Sequence, residues 1–421
     1  MKFLFVTVFG ESLALMRTLE DEGHRVKCFV KDPQFQDVGR GVISRVRKWK
    51  PYAKWADVIV FDDADLGRDC ENMRSRGYPC VGGNSFGDNL ENQRLFGQKI
   101  LEEVGIKIPK SRRFKSFRSA IKFVGKRPAR YVLKFNGQLA RYLSYIGRFG
   151  DGNDVVDILE HYLGIWNKNK KVDFIVQKYV DGIEMGVGAF FNGMDFVYPI
   201  NITFEHKHFL AGGVGPLTPE MGTSMYYSKD GGKLFRETLL KMKPYLARTN
   251  YRGFIDINCM VTEGGAYALE FSSRFGYPQL DIQLALHKTP WGELLHKLAL
   301  GALKKFDVHR GFAIGVVIAG AGVPFEVSYN KYGRGLPILG INEDNKHQIR
   351  LSEVFKKNGA YYCAGSGYPI TVTGRGKSMV SAQQAAYNTV DQIVVPNSLY
   401  RTDIGDHWVH ERLKLKKWGY I

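Results

Sequence analysis

The sequence predicts a multidomain chain that combines α/β and α+β architecture. Three observations carry the prediction. The first hundred or so residues alternate short apolar, strand-forming runs with an apolar period of helical spacing. Two apolar runs farther along flank Glu263-Gly264-Gly265, the pattern of an antiparallel hairpin. The 421 residues, 44% hydrophobic, suffice for about two to four cores at about 100–200 residues per domain.

The elements follow in order. Residues 2–9 form an apolar run ending at Gly10, and Leu13, Leu15, Met16 and Leu19 then repeat at helical spacing. Val26–Val30, Val58–Phe61 and Tyr78–Val81 continue as strands, so residues 1–108 are expected to form an N-terminal α/β domain. Residues 91–104 read as one helix stopped by Gly105. Residues 109–190 open with a basic stretch, Lys110 to Arg130, interleaved with Phe114, Phe117 and Phe123, and continue with YVLKF, a helical DVVDILEHYLGIW, DFIVQKYV and MGVGAFF. They are expected to form a smaller α+β unit. Residues 191–310 carry strands at FVYPINITF and GFIDINCMV and a helix at GELLHKLALGAL. Residues 311–421 open with the strand FAIGVVIAGAG and are expected to be β-rich, with a helix at SAQQAAYNTVDQI.

Composition narrows the function. Lys and Arg number 60 against 42 Asp and Glu, a net charge of +18, which favours anionic partners: nucleotides, phosphorylated metabolites or nucleic acid. A second basic cluster lies at Arg45, Arg47, Lys48, Lys50 and Lys54. The five cysteines are scattered with no C-x-x-C pair, which argues against zinc ribbons and a disulfide framework and fits a reducing, cytoplasmic setting. No apolar run reaches about 18 residues, so no membrane span is expected. The start of the chain reads as a strand rather than a signal peptide.

The segment 253–279 carries the chemistry. Residues 254–261 form one arm of the hairpin and Ala266 to Phe271 the other, which places Asp256 and Glu270 on one side at similar height. Two carboxylates so placed suit a hard divalent cation that also bridges phosphates. Arg274, four residues beyond Glu270, is positioned to meet a transferring phosphoryl group. His206 and His208 flank Lys207 at a spacing that shares a strand face. They are read as lining a substrate pocket rather than as metal ligands.

The hairpin resembles the metal-binding hairpin of ATP-grasp ligases, where an acidic residue on one strand is followed by Glu-x-Asn-x-Arg on the next. Further blocks match in order, and over nearly the whole chain the resemblance is to the phosphoribosylamine–glycine ligase family. It implies an ATP-grasp fold with a Rossmann-like N-terminal domain, a lid over 109–190, a central domain over 191–310 and a C-terminal β-rich domain. It implies Asp256, Glu270 and Ser272 as ligands of Mg²⁺ or Mn²⁺, with Ser272 standing where the family has Asn, and Arg274 as the catalytic arginine. Arg94, Lys134, Arg141, Gln177, Lys178, Tyr179, Val180 and Glu184 fall on ATP-contacting positions. His206, His208, Gly212, Gly213, Gly215 and Pro278 fall in the substrate region.

The implied activity is ATP-dependent ligation of a carboxylate to an amine through an acyl phosphate, of the phosphoribosylamine plus glycine type, in purine biosynthesis. The implied state is a monomer or homodimer acting on small molecules. Three departures bear on the substrates. The family's first loop is a glycine pair followed by Arg-Glu-His, whereas this chain has Phe9-Gly10-Glu11-Ser12. The glycine-rich ATP lid is here Gly137 to Leu143 with one glycine, Arg141 standing in for the lid lysine. The family's Asp-Pro-Glu is Tyr277-Pro278-Gln279. Two alternatives follow: a repurposed ligase that joins an amino acid to a modified nucleotide or DNA base, and a non-catalytic nucleic-acid-binding relative.

Overall fold

The computed structural model describes residues 1–135, 143–166 and 171–421. The expected lid stretch around Arg141 lies outside the described residues. Near the N-terminus four parallel strands lie in the order Arg25–Val30, Lys2–Thr7, Val58–Phe61, Cys80–Val81. The helix Leu13–Asp21 makes the first crossover, as parallel pairing requires. Phe3 to Val6 and Val58 to Phe61 are buried throughout because both faces of the sheet are covered. Lys2–Thr7 and Val58–Phe61 run side by side and in the same direction. Their carboxyl ends therefore deliver the loops bearing Glu11 and Asp62-Asp63 to one edge, where ligands of open α/β sheets gather.

The helix expected over 91–104 is two helices, Ser85–Asn92 and Arg94–Glu103. Gln93, at φ −109° and ψ 82°, breaks the helical path between them. Arg94 thus opens a new helix instead of sitting in the first turn of a single one.

A second sheet has the order Ser111–Phe114, Phe174–Lys178, Tyr131–Phe135, Tyr145–Ile146 and is antiparallel throughout. The helices Phe117–Gly125 and Asn153–Ile165 cover it. Phe114, Phe117 and Phe135 surround Phe174, the rings of Phe135 and Phe174 stacking at 4.9 Å. The phenylalanines of the basic stretch therefore build this core, while Arg112, Arg113, Lys115, Arg118 and Lys126 face solvent.

The largest sheet has eight antiparallel strands: Gly265–Ser272, Arg252–Thr262, Ile183–Asn192, Phe196–Glu205, Gly222–Ser228, Phe312–Ile318, Ile370–Gly376 and Ile349–Leu351. The expected boundary at residue 190 falls inside Ile183–Asn192, and the C-terminal strands continue the sheet instead of starting another. A separate three-stranded sheet joins Pro337–Ile338, Ala360–Cys363 and Val354–Lys357. Helix Met379–Val390 packs on Ile370–Gly376 so closely that a Cβ at Gly374 would lie 2.3 Å from Ala382 O, which is why glycine stands there. All five cysteines are buried and free of disulfides. Among the described residues no helix is long and apolar enough to cross a membrane.

Candidate active site

The hairpin forms from Arg252–Thr262 and Gly265–Ser272. Pairing runs evenly from Thr262↔Gly265 to Cys259↔Ala268, then slips by one residue at Leu269. Beyond this bulge Asn258 faces Glu270 and Asp256 faces Ser272. Asp256 and Glu270, expected on one side at similar height, share a face but lie two residues apart along the ladder, and Asn258 is the direct neighbour of Glu270. The bulge matters because a one-residue shift changes which face a side chain points to. Without it Glu270 would sit opposite Ile257.

Three cavities lie in a row along this region. The middle one, about 250 Å³, is lined by Asp256, Asn258, Glu270, Ser272, Arg274 and Arg94 among others. Arg274 is held from outside the large sheet. Glu91 Oε1 accepts from its Nε at 3.2 Å, and Glu11 stands 3.5 Å from Nη1. The other oxygen of Glu91 takes Ser273 N–H at 2.8 Å. Burial disfavours the guanidinium charge, but Glu91 and Glu11 outweigh it and hold the group firmly protonated. Asp256 is buried, and burial together with Glu205 pushes its carboxyl up to about 8 despite Arg274. Lys207 instead holds the Glu270 carboxyl well below the carboxylate range.

Lys207 was absent from the expected site and stands at its centre. Its Nζ lies 2.7 Å from Glu270, 3.1 Å from Glu205 and 3.5 Å from Glu184. Burial would discharge the ammonium, yet Glu205, Glu270 and Glu184 keep it charged. Asn258 Nδ2 donates to Glu184 at 2.6 Å and to Glu205 at 2.9 Å, which leaves its Oδ1 buried and without a partner.

The largest of the three cavities, about 440 Å³, lies between the two larger antiparallel sheets. It gathers Arg94, Lys134, Gln177, Tyr179, Val180, Glu184, His206, His208, Gly213 and Glu270. Strand parity accounts for Lys134 and Gln177, which sit on neighbouring strands with the pairs Lys134↔Ile175 and Val132↔Gln177. Lys178 does not join them: its side chain is exposed, and its N–H is bonded to Lys110 O. His206 is 1% exposed, with neither ring nitrogen partnered, and stacks on His407 at 4.2 Å. Burial and the neighbouring His407 push it down to about 3, so it presents a neutral ring.

The glycine segment is a tight hairpin, His208–Leu210 and Val214–Leu217, with positive φ at Gly212, Gly213 and Gly215. Gly213 lines the cavity, whereas Gly212 N–H donates to Asp403 at 2.8 Å, and Gly215 O meets His208 Nδ1 at 2.9 Å. Arg401, 2% exposed, pairs with Asp403 and donates to His208 O at 2.8 Å. The C-terminal segment thus ties down the glycine turn, a link between residues nearly two hundred positions apart that no local pattern displays. Pro278 lines the third cavity, on the far side of Arg274, together with Glu11 and Asp62.

Among the described residues no three His, Cys, Asp or Glu side chains stand close enough to hold a metal by themselves. Mg²⁺ is ordinarily bound by one or two carboxylates plus phosphate oxygens. Glu270, with 44% of its side chain exposed beside the unpartnered Asn258 Oδ1, offers such a partial set.

Comparison with known proteins finds chains of similar sequence and fold. A model of the phosphoribosylglycinamide synthetase ATP-grasp (A) domain matches residues 92–280, and one of the C domain of the same synthetase matches residues 313–407. The phosphoribosylamine–glycine ligase of Clostridium acetobutylicum is 25% identical over 355 residues, 79% of this chain and 80% of that protein. Its counterpart from Lactococcus lactis is 24% identical over 78% of each. The crystal structure of phosphoribosylamine–glycine ligase from Thermotoga maritima superposes with a TM-score of 0.73 at 20% identity, covering 96% of this chain and all of that one. Biotin carboxylase from Campylobacter jejuni, solved as a β,γ-ATP complex, gives 0.63 at 12% identity over 96% of this chain and 94% of that one. The chain is a member of the ATP-grasp superfamily, resembles phosphoribosylamine–glycine ligase and is an ATP-dependent C–N ligase.

Proposed function

We propose that the chain joins a carboxylate to an amine through an acyl phosphate, with ATP in the largest cavity and the two reacting substrates in the cavities beyond it. One observation carries this reading: Glu270 and Arg94 line both the 440 Å³ and the 250 Å³ cavities, so one set of charges spans the point where the two meet. A nucleotide suits the larger cavity. Val132, Ile146, Val180 and Met260 offer apolar contact for a base, Glu184 accepts ribose hydroxyls, and Lys134 and Arg94 face phosphate.

Glu270 and the Asn258 carbonyl oxygen would hold Mg²⁺; the ion would neutralise phosphate charge during transfer. Ser272 stands beside them opposite Asp256, and Lys207 supplies a permanent charge among the same carboxylates. A carboxylate oxygen of the acid substrate attacks the terminal phosphorus and ADP leaves. Arg274, fixed by Glu91 and Glu11, faces the charge that develops on the phosphoryl oxygens. The amine nitrogen then attacks the carbonyl carbon, phosphate departs, and the nitrogen loses a proton. His206, neutral and stacked, lines the cavity without exchanging protons.

Phosphoribosylamine with glycine is the first substrate pair to try, because the matched family models and relatives carry that reaction's name. A second reading, a ligase with a different acceptor, is favoured by the acidic loop Glu11-Ser12 and by Tyr277-Pro278-Gln279 at the far end. The test is ADP release from ATP and Mg²⁺ with an amino-acid panel, using hydroxylamine as the trapping nucleophile. Hydroxamate that depends on both ATP and the acid is the expected result. Its absence with every acid, while ATP still binds, would overturn the acyl-phosphate reading.

A further inference from the structure

The basic stretch of residues 110–130 takes no part in the site described above. It folds into an open groove of about 420 Å³ between the edge strand Ser111–Phe114 and the helix Phe117–Gly125. Six of the nine residues that line the groove are cations: Arg112, Arg113, Lys115, Lys122, Lys126 and Arg127. The other three are Phe114, Ser119 and Phe123, so no carboxylate lines it. All six cations are exposed. The groove lies on the face of the four-stranded sheet away from the largest cavity: Phe114, Leu133, Phe174 and Val176 alternate toward the covering helices, while Lys134 and Gln177 alternate toward that cavity.

Cations at a helix C-terminus ordinarily complement its dipole, which accounts for Lys122, Lys126 and Arg127. It does not account for Arg112 and Lys115, which come from the opposite wall. Among the described residues only Arg113 of the six has an acidic partner, Asp173 at 2.6 Å. Asp157 and Glu160, exposed on the neighbouring helix Asn153–Ile165, pair with none of them. Arg112 and Arg127 are seated on an aromatic ring instead, 5.2 and 4.8 Å from the centre of Phe123. Two like charges thus share one ring with no carboxylate between them, and an anion arriving from solution relieves their repulsion. The rest of the lining narrows the anion. Nothing but the Ser119 hydroxyl can accept from a ribose or a base edge, which argues against a free nucleotide. Phe114 is buried and Phe123 carries both guanidinium groups, so no ring is left on which unpaired bases could stack. Duplex RNA is held in part through its 2′-hydroxyls, for which the lining has no amide or carboxylate.

We propose that this groove seats the phosphate backbone of duplex DNA and does not read its bases. Lys115, Lys122 and Lys126 meet phosphates as mobile point charges, and Arg112 and Arg127, already oriented on Phe123, meet them with forked donors. The net charge of +18 adds long-range attraction, and the groove gives it a place to act. The proposal concerns a surface apart from the three cavities of the cleft, so it stands whether or not the ligase reading does.

The experiment measures binding of the intact protein to a fluorescent DNA duplex of about 20 base pairs by anisotropy, across a series of salt concentrations. Binding should be insensitive to base sequence, and log K should fall against log salt with a slope of about −3 to −4.5, about 0.9 for each of three to five phosphates met. Lys122→Glu combined with Lys126→Glu should weaken the duplex about 10- to 100-fold and leave ATP affinity by calorimetry unchanged. Lys122→Ala and Lys126→Ala, made singly, should each lower the slope by about one, and they repeat the test should the double reversal fail to fold. Arg47→Glu with Lys48→Glu, at the other basic cluster, is the control and should change little. Equal loss in the control and in the groove variants would make binding a matter of net charge and overturn the assignment. So would a single strand or an RNA duplex of the same sequence bound about 10-fold more tightly than the DNA duplex. Tripolyphosphate or phosphatidylserine vesicles bound while the duplex is not would overturn it as well, by assigning the groove to a small polyphosphate or to an anionic membrane.

Discussion

At the end of the cleft holding the 440 Å³ cavity between the two antiparallel sheets, called the hinge end below, charged and apolar side chains on regular strands face the cavity; beyond Arg274, the acids come from loops and from one helix. Lys134, Gln177 and Glu184 sit within or at the start of paired strands, where alternation fixes their side. Glu11, Asp62 and Glu91 come from two loop ends and a helix of the N-terminal unit. The contrast teaches that the two ends answer to different constraints. The hinge end is positioned by sheet hydrogen bonding and changes little when one loop residue changes. The far end draws its acids from two loops and one helix, so substitutions there alter its charge and leave the sheet untouched.

Three perturbations probe that division. The largest effect is expected from Arg274→Met, which removes the guanidinium at the junction. Hydroxamate formation should fall about 10²- to 10³-fold with ATP affinity little changed. Equal loss of ATP binding would mean that the two ends are not separable. A smaller effect is expected at the hinge end, where Lys134→Met should weaken ATP about 10- to 100-fold and spare the rate at saturation. Burial lowers the Lys134 ammonium to about 8, with Glu270 opposing the shift. It is charged below that pH, so kcat/KM for ATP should be level there and decline as pH rises through about 8. Lys134→Arg should remove the decline, and a profile unchanged in the arginine variant would assign it to another group. The smallest effect is structural. The buried Tyr251 hydroxyl lies 2.6 Å from the carbonyls of both Phe254 and Ser273, tying the hairpin to the residue before Arg274. Tyr251→Phe should cost about 1 kcal/mol in urea unfolding without moving ATP affinity.

Local pattern exposed much of the hinge end. YVLKF and DFIVQKYV announce strands, and parity within them aims Lys134 and Gln177 inward; the same parity turns Lys178 out, which the motif match did not convey. The hairpin was legible from its glycine turn, but the bulge at Leu269 was not, because it depends on how the return strand packs rather than on its own residues. That bulge is what makes Asn258 the partner of Glu270. Lys207 was visible between two histidines, yet its role needs Glu184, Glu205 and Glu270 from three strands. The C-terminal strands read correctly as strands, while their union with the central sheet is a matter of long-range pairing. The break at Gln93 had no proline or glycine at that position to mark it.

The grip on Arg274 has a wider consequence. Its backbone follows the hairpin, but its aim is set by Glu11 and Glu91, from parts of the chain that belong to no strand of the large sheet. On the proposed role of Arg274, any rocking of the N-terminal layer against that sheet would steer the guanidinium as a tiller steers a rudder, so readiness for phosphate transfer would depend on how two layers are docked, and a fragment keeping only the later layer would retain the arm but lose its helmsman.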